Sequence, residues 1–262
     1  MNLFDVSGRV VVVTGANGRL GRQFVASLCQ AGAKVAALDL HEGDWSESPG
    51  YVMPLIGNVS NRKSLEDCLG RVVKELGQPF GLINNAALDS PPDAPASENG
   101  AYEAYPEASF DRVMEVNVKG VHQCCQVFGG SMAQAGGGSI INISSIYGML
   151  SPVQDIYEFR RTGGEEFYKP VAYSVSKSAL FNLTRYLATY WAKNGVRVNT
   201  LTLAGVFDNQ DPRFLEGYLA RMPLGRMAQP DEYNGAIQFL LSDASRYMTG
   251  ANLQVDGGWS AW

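Results

Sequence analysis

Short β-branched runs alternate with longer amphipathic stretches along this chain, and no other feature restricts its fold as sharply. "RVVVVT" leads into "RQFVASLCQAG", then come "KVAALDL", "YVMPLIG" and a helical pattern from Ser64 to Leu76. The rhythm continues through "FGLINNAA", a helical stretch around Phe110 to Met132, "GSIINISS", a helix from Tyr173 to Lys193, "VRVNTLTL", a helix from Asp231 to Leu241 and a final "LQVDGG". Such alternation is the signature of βαβ units. Each crossover is long enough to hold a helix, so the strands are expected to be parallel with helices on both faces. The predicted fold class is α/β, a single-domain Rossmann-type doubly wound parallel sheet of about seven strands spanning residues 1–262.

A chain of 262 residues, 45% hydrophobic and 18% charged, can bury one large core, and no internal repeat or linker suggests a second domain. Two polar insertions interrupt the rhythm, near 88–107 ("DSPPDAPASENGAYEAYPE") and near 151–170 ("SPVQDIYEFRRTGGEEFYKP"). Both leave the carboxyl ends of strands, where open α/β sheets bind ligands. A net charge of -5 argues against nucleic acid as a partner, which would call for a clustered basic face. The N-terminus lacks the regions of a signal peptide and no apolar run reaches membrane-spanning length, so a soluble, cytoplasmic protein is expected. Cys29, Cys68, Cys124 and Cys125 have no metal-ligand spacing and read as buried thiols in a reducing compartment; His41 and His122 stand in no supporting motif. No metal site is expected.

In "TGANGRLG" the glycines fall at Gly15, Gly18 and Gly21, directly after a strand and at the mouth of a helix. Glycines so placed permit a tight turn and let backbone N–H groups approach a pyrophosphate, although a simple turn would use them too. Asp39 lies 18 residues beyond Gly21. An acidic group there suits the hydroxyls of an adenosine ribose and repels a 2′-phosphate, which favours NAD over NADP; a solvated strand end is the plainer alternative. Arg19 pulls the other way, since a guanidinium by the loop can hold a phosphate. "YSVSK" sets Tyr173 and Lys177 one helical turn apart, where an ammonium lowers a phenol's pKa toward the range of a general acid or base.

Together these residues resemble the short-chain dehydrogenase/reductase family. "TGANGRLG", "NNAA" from Asn84, "VNVKG" around Asn117, "NISS" ending at Ser145, "YSVSK", "RVN" from Arg197 and "VDGG" from Val255 follow the family's order across nearly the whole chain. The resemblance implies that Tyr173 donates or accepts the proton, Lys177 binds the nicotinamide ribose and tunes Tyr173, Ser145 hydrogen-bonds the reacting oxygen, and Asn117 supports a proton-relay water near Lys177. It implies a dinucleotide lying on Gly15, Asn17, Gly18, Arg19, Leu20 and Gly21, with Asp39 at the ribose, Asn58 and Val59 by the adenine, and Asn85, Ala86, Ala87 and Val206 beside the cofactor. Members of the family are mostly homotetramers or dimers that pack the helices corresponding to Phe110–Gln134 and Tyr173–Lys193.

The chain departs from the family pattern in several places. The loop spacing T-G-x-x-G-x-x-G is similar to the extended branch of the family, with Arg19 at a usual glycine position. Asn58 replaces a common Asp, and Leu203 and Ala204 stand where Pro-Gly is usual. Ser145 and Tyr173 are 28 residues apart, well over the family's habit; Tyr157 cannot substitute, because position 161 is Arg. The intervening insertion carries Glu158, Arg160, Arg161, Glu165, Glu166 and Lys169, too charged to make an apolar pocket by itself, which points to a polar, sugar-derived alcohol or ketone, or else to a solvated lid or oligomer contact. The expected function is NAD(H)-dependent interconversion of a secondary alcohol and a ketone. A catalytically silent nucleotide-binding regulator or scaffold, and an NAD-retaining epimerase or dehydratase, remain as alternatives.

Overall fold

The structure, a computed structural model, describes residues 2–90 and 95–262. Its elements run Val10–Thr14 (β1), Arg19–Gln30 (α1), Lys34–Asp39 (β2), Val52–Ile56 (β3), Arg62–Glu75 (α2), Gly81–Asn84 (β4), a helical run over 107–135, Gly138–Ser145 (β5), the long helix Val171–Trp191, Val196–Leu203 (β6), Pro212–Leu219, Asn234–Leu241 and Asn252–Val255 (β7). The seven strands form one sheet in the order β3-β2-β1-β4-β5-β6-β7, every pairing parallel. The order reverses between β1 and β4, and a crevice opens at the strand ends there.

Strand alternation assigns the two cores. Val12, Ala36, Leu82, Ile140 and Val198 face one layer, with α2, the 107–135 run and Val171–Trp191. Val11, Val13, Val35, Ile83 and Ile141 face the other, with α1 and Asn234–Leu241. Cys29, Cys68, Cys124 and Cys125 are buried free thiols.

Helix boundaries follow local chemistry. The Asn61 side chain accepts from the Ser64 amide and starts α2 two residues ahead of the amphipathic signal. The 107–135 run contains two π-turn segments, Glu115–Gly120 and Cys125–Gly129, and stops at Gly136, whose φ of 83° only glycine adopts readily. The last helix begins at Asn234 rather than Asp231, because the three preceding residues form a turn.

Of the two insertions, residues 91–94 lie outside the described residues. The remainder folds into single turns, Ala96–Asn99 and Tyr102–Ala104 in the first, Gln154–Tyr157 and Glu158–Thr162 in the second. They dock on one another: the Tyr168 amide donates to the Asn99 carbonyl at 2.6 Å.

Candidate active site

The glycine loop turns at Gly15, with φ +63°, and delivers the chain to α1, whose N-cap is Gly18. No side chain among the described residues caps α1, so its first N–H groups are left for a ligand. Any Cβ on Gly15 would sit 2.8 Å from Ala86 Cα, and one on Gly21 would overlap the Gly15 and Ala16 carbonyl oxygens. The irregular spacing therefore still makes a close-packed cradle. Thr14 Oγ1 accepts the amides of Asn85 (3.0 Å) and Ala86 (3.1 Å), while Asn85 Nδ2 donates to the Thr14 and Gly15 carbonyls, both at 3.0 Å. "NNAA" thus braces the loop from the neighbouring strand.

A cavity of about 890 Å³ follows this cradle, walled by Gly15, Asn17, Gly18, Arg19, Leu20, Asp39, Asn58, Val59, Asn85, Ala86 and Ala87. Asp39 Oδ2 accepts from the Asn17 amide (2.8 Å) and Oδ1 from the Leu40 amide (2.7 Å), which fixes the carboxylate and leaves lone pairs for hydroxyl donors. Asn58 Oδ1 accepts from the Ser60 amide at 2.9 Å. Arg19 turns away from Asp39: it pairs with Asp208 and donates to the Phe207 carbonyl at 3.4 Å, beyond β6. An uncapped helix start, glycines where the turn leaves no room for a Cβ and a fixed acidic group at the end of β2 fit a dinucleotide.

Ser145 closes β5 and accepts from the Tyr147 amide at 3.2 Å. Tyr173 and Lys177 come from the first turns of Val171–Trp191. Lys177 is 4% exposed; its Nζ donates to the Ile143 carbonyl at 2.8 Å and lies 5.7 Å from the centre of the Tyr173 ring. Burial pulls the Lys177 pKa down to about 8. Tyr173 is pushed above the ordinary phenol value, chiefly by burial and then by the Asp89 carboxylate, while its hydrogen bond with Ser145 opposes the rise. The expected lowering by Lys177 does not prevail, because desolvation dominates and the ammonium is turned to a backbone carbonyl.

Asn117 lies in the first π-turn segment, 1% exposed. Its Oδ1 accepts from the Leu88 amide (2.7 Å), and Nδ2 donates to the Leu88 carbonyl (2.8 Å) and to Ser176 Oγ (3.0 Å). Both amide protons are committed, so this side chain braces the exit of β4 against the Tyr173 helix.

Ser145, Tyr173 and Lys177 wall a second cavity of about 560 Å³, which shares Arg19, Leu20, Asn85 and Ala87 with the first and also touches Val206. Sequence reasoning missed most of its far side: Tyr147, Tyr157, Phe214, Tyr218, Asp89 and Lys169. The second insertion also corrects its charged reading. Arg160 pairs with Glu165 and Arg161 with Glu158, Arg160 covers the Phe167 ring at 3.5 Å, and Tyr157 and Phe167 turn inward while Tyr168 stays exposed. Tyr157 meets Phe167 and Phe214 with ring centres 5.0 and 5.6 Å apart. An apolar pair, Ile156 and Tyr157, amid charges was the available signal. Lys169 Nζ donates to both Asp89 oxygens, at 2.7 and 2.5 Å, and had no motif to mark it.

Among the described residues no cluster of three or more His, Cys, Asp or Glu side chains could hold a metal ion, and no helix is long and apolar enough to cross a membrane. The protein family described as Enoyl-(Acyl carrier protein) reductase matches residues 15–260. Galactitol 2-dehydrogenase of Rhizobium johnstonii is 31% identical over 99% of this chain and 98% of its own length. The 2-dehydro-3-deoxy-D-gluconate 5-dehydrogenase of Escherichia coli is 30% identical over 100% and 99%. A crystal structure of a short chain dehydrogenase from Leptospira borgpetersenii with bound NAD+ superimposes with a TM-score of 0.86 at 29% identity, covering 99% of this chain and 96% of that one. With the motifs in order, the switch-point crevice and matches along the full length, the chain belongs to the short-chain dehydrogenase/reductase family of oxidoreductases.

Proposed function

We propose that the protein interconverts a secondary alcohol and a ketone on a small, polar, sugar-like metabolite, using NAD(H) and Tyr173 as general acid and base. The observation that carries this reading is the junction of the two cavities: a pocket holding Ser145 and Tyr173 opens onto the glycine-loop crevice through four shared wall residues. When bound, the nicotinamide supplies or takes the hydride. The chain itself has to manage one proton and the geometry. In reduction, the Tyr173 hydroxyl donates to the carbonyl oxygen while Ser145 donates a hydrogen bond to the same atom. In oxidation the tyrosine must first lose its proton. Its raised pKa keeps it protonated at neutral pH, so alcohol oxidation is expected to speed up as pH rises through the alkaline range, and ketone reduction is not.

The NAD preference rests on Asp39, held by two amides at the end of β2, and on the commitment of Arg19 to Asp208. Side-by-side calorimetric titration should give tighter NADH than NADPH, with the gap shrinking in Asp39→Ser; tighter NADPH in the parent protein overturns the cofactor assignment. Tyr173→Phe should lose about 10²–10⁴-fold in kcat and keep its affinity for the dinucleotide. Full turnover in that variant removes Tyr173 from the proton step. The sugar-like substrate is supported by the names of the relatives, which divide between a neutral sugar alcohol and a sugar acid.

A further inference from the structure

The geometry points to Asp89 and Lys169 as the pair that sets the charge of the substrate, admitting neutral polyhydroxy compounds and turning away sugar acids; this deepens the function proposed above and rests on it. The two residues come from different insertions and meet over the reacting end of the pocket. Lys169 Nζ donates to both oxygens of Asp89 and lies 5.5 Å from the centre of the Tyr173 ring. The Lys169 side chain is 14% exposed and that of Asp89 58%, so the cation is held inside and its counter-charge closes it from the rim. The Tyr168 amide, bonded to Asn99, holds the segment that carries Lys169 against the other insertion.

The charged side chains among the described residues lining this cavity are Arg19, Asp89, Lys169 and Lys177. Arg19 sits in the wall shared with the dinucleotide crevice and is paired with Asp208. Lys177 is bonded to the Ile143 carbonyl beneath Tyr173. Lys169 is therefore the cation on the substrate side, and Asp89 already neutralises it. A substrate carboxylate has to break the Asp89–Lys169 pair and turn Asp89 out to solvent, or lie beside it as a second negative charge in a half-buried site. The field of Asp89 already reaches Tyr147, Tyr157 and Tyr173 and holds each hydroxyl more firmly to its proton. A neutral polyol meets no such obstacle. Its hydroxyls donate to the remaining lone pairs of Asp89 and accept the third N–H of Lys169, which bonds no other described residue, while its C–H edges lie on Tyr157 and Phe214.

The test compares galactitol with D-gluconate on the parent protein, Asp89→Asn and Lys169→Gln, by kcat/KM for oxidation and, without turnover, by saturation-transfer NMR titration. The parent should favour galactitol at least tenfold in both measures. Asp89→Asn should narrow that ratio about tenfold, mainly through tighter gluconate, and Lys169→Gln should widen it. A purely architectural ion pair would shift both variants the same way. A parent that favours gluconate, a ratio unmoved by either variant, or no binding of either compound overturns the inference. Selective binding without oxidation of any polyol supports the selectivity and overturns the proposed reaction instead.

Discussion

Lys177 shows what a single buried charge does to this protein. Its pKa stands near 8 in the folded chain against an ordinary 10.5, so between those pH values the unfolded chain binds the extra proton and the contribution of Lys177 to stability rises with pH; below 8 the cost of burying the charge is felt in full. Denaturant titrations should show the parent gaining about 3 kcal/mol relative to Lys177→Met across that window, on top of the opposite trend that the buried Cys124 and Cys125 thiols give both proteins. Equal pH slopes in the two proteins would mean that the ammonium is better solvated than its surroundings imply. Tyr173 and Lys177 were legible in the sequence because helical spacing alone puts i and i+4 on one face. Asp89 and Lys169 were not, since they are 80 residues apart and meet only through the docking of two irregular segments. Asn117 stood out in its motif, but the commitment of its amide to Leu88 and Ser176, in place of the expected water, depends on tertiary approach and left no trace in the local sequence.

Among the elements, α1 and α2 give opposite answers to the same substitution. A Cβ on Gly21 meets backbone it cannot displace, so Gly21→Ala should weaken dinucleotide binding and lower Tm. Gly70, on the exposed side of α2, has nothing within reach of a Cβ. Gly70→Ala should therefore stabilise the protein by about 0.5–1 kcal/mol, read as a higher urea midpoint at unchanged slope. The alternation of apolar runs revealed the seven strands and the longer helices between them, because period-2 and period-3.6 burial leave different marks, but not the short helix Pro212–Leu219. The π-turn segments stayed hidden, as they depend on how the 107–135 run seats against α2 and Val171–Trp191 rather than on any residue preference.

At the scale of the whole molecule, the order of strands places β1 beside β4; the glycine loop, Asp39, Asn85 and Ser145 stand at the carboxyl ends of β1, β2, β4 and β5, and the helix Val171–Trp191 brings Tyr173 and Lys177 beside them. The helices on the outside carry their own demand: Tyr186 and Tyr190 stack with ring centres 6.0 Å apart on the exposed side of Val171–Trp191. We expect this face to pair copies of the chain into a dimer or tetramer, measurable by light scattering at micromolar concentration and disrupted by Tyr186→Glu with Tyr190→Glu. A monomeric parent protein would exclude that arrangement. The docking of the two insertions reaches further still. Because Lys169 of one closes on Asp89 of the other, they behave as a single exchangeable part written in two places. A chimera that borrows only one of them from a relative inherits a lone charge above Tyr173, so transplanting a preference between scaffolds means moving both segments together.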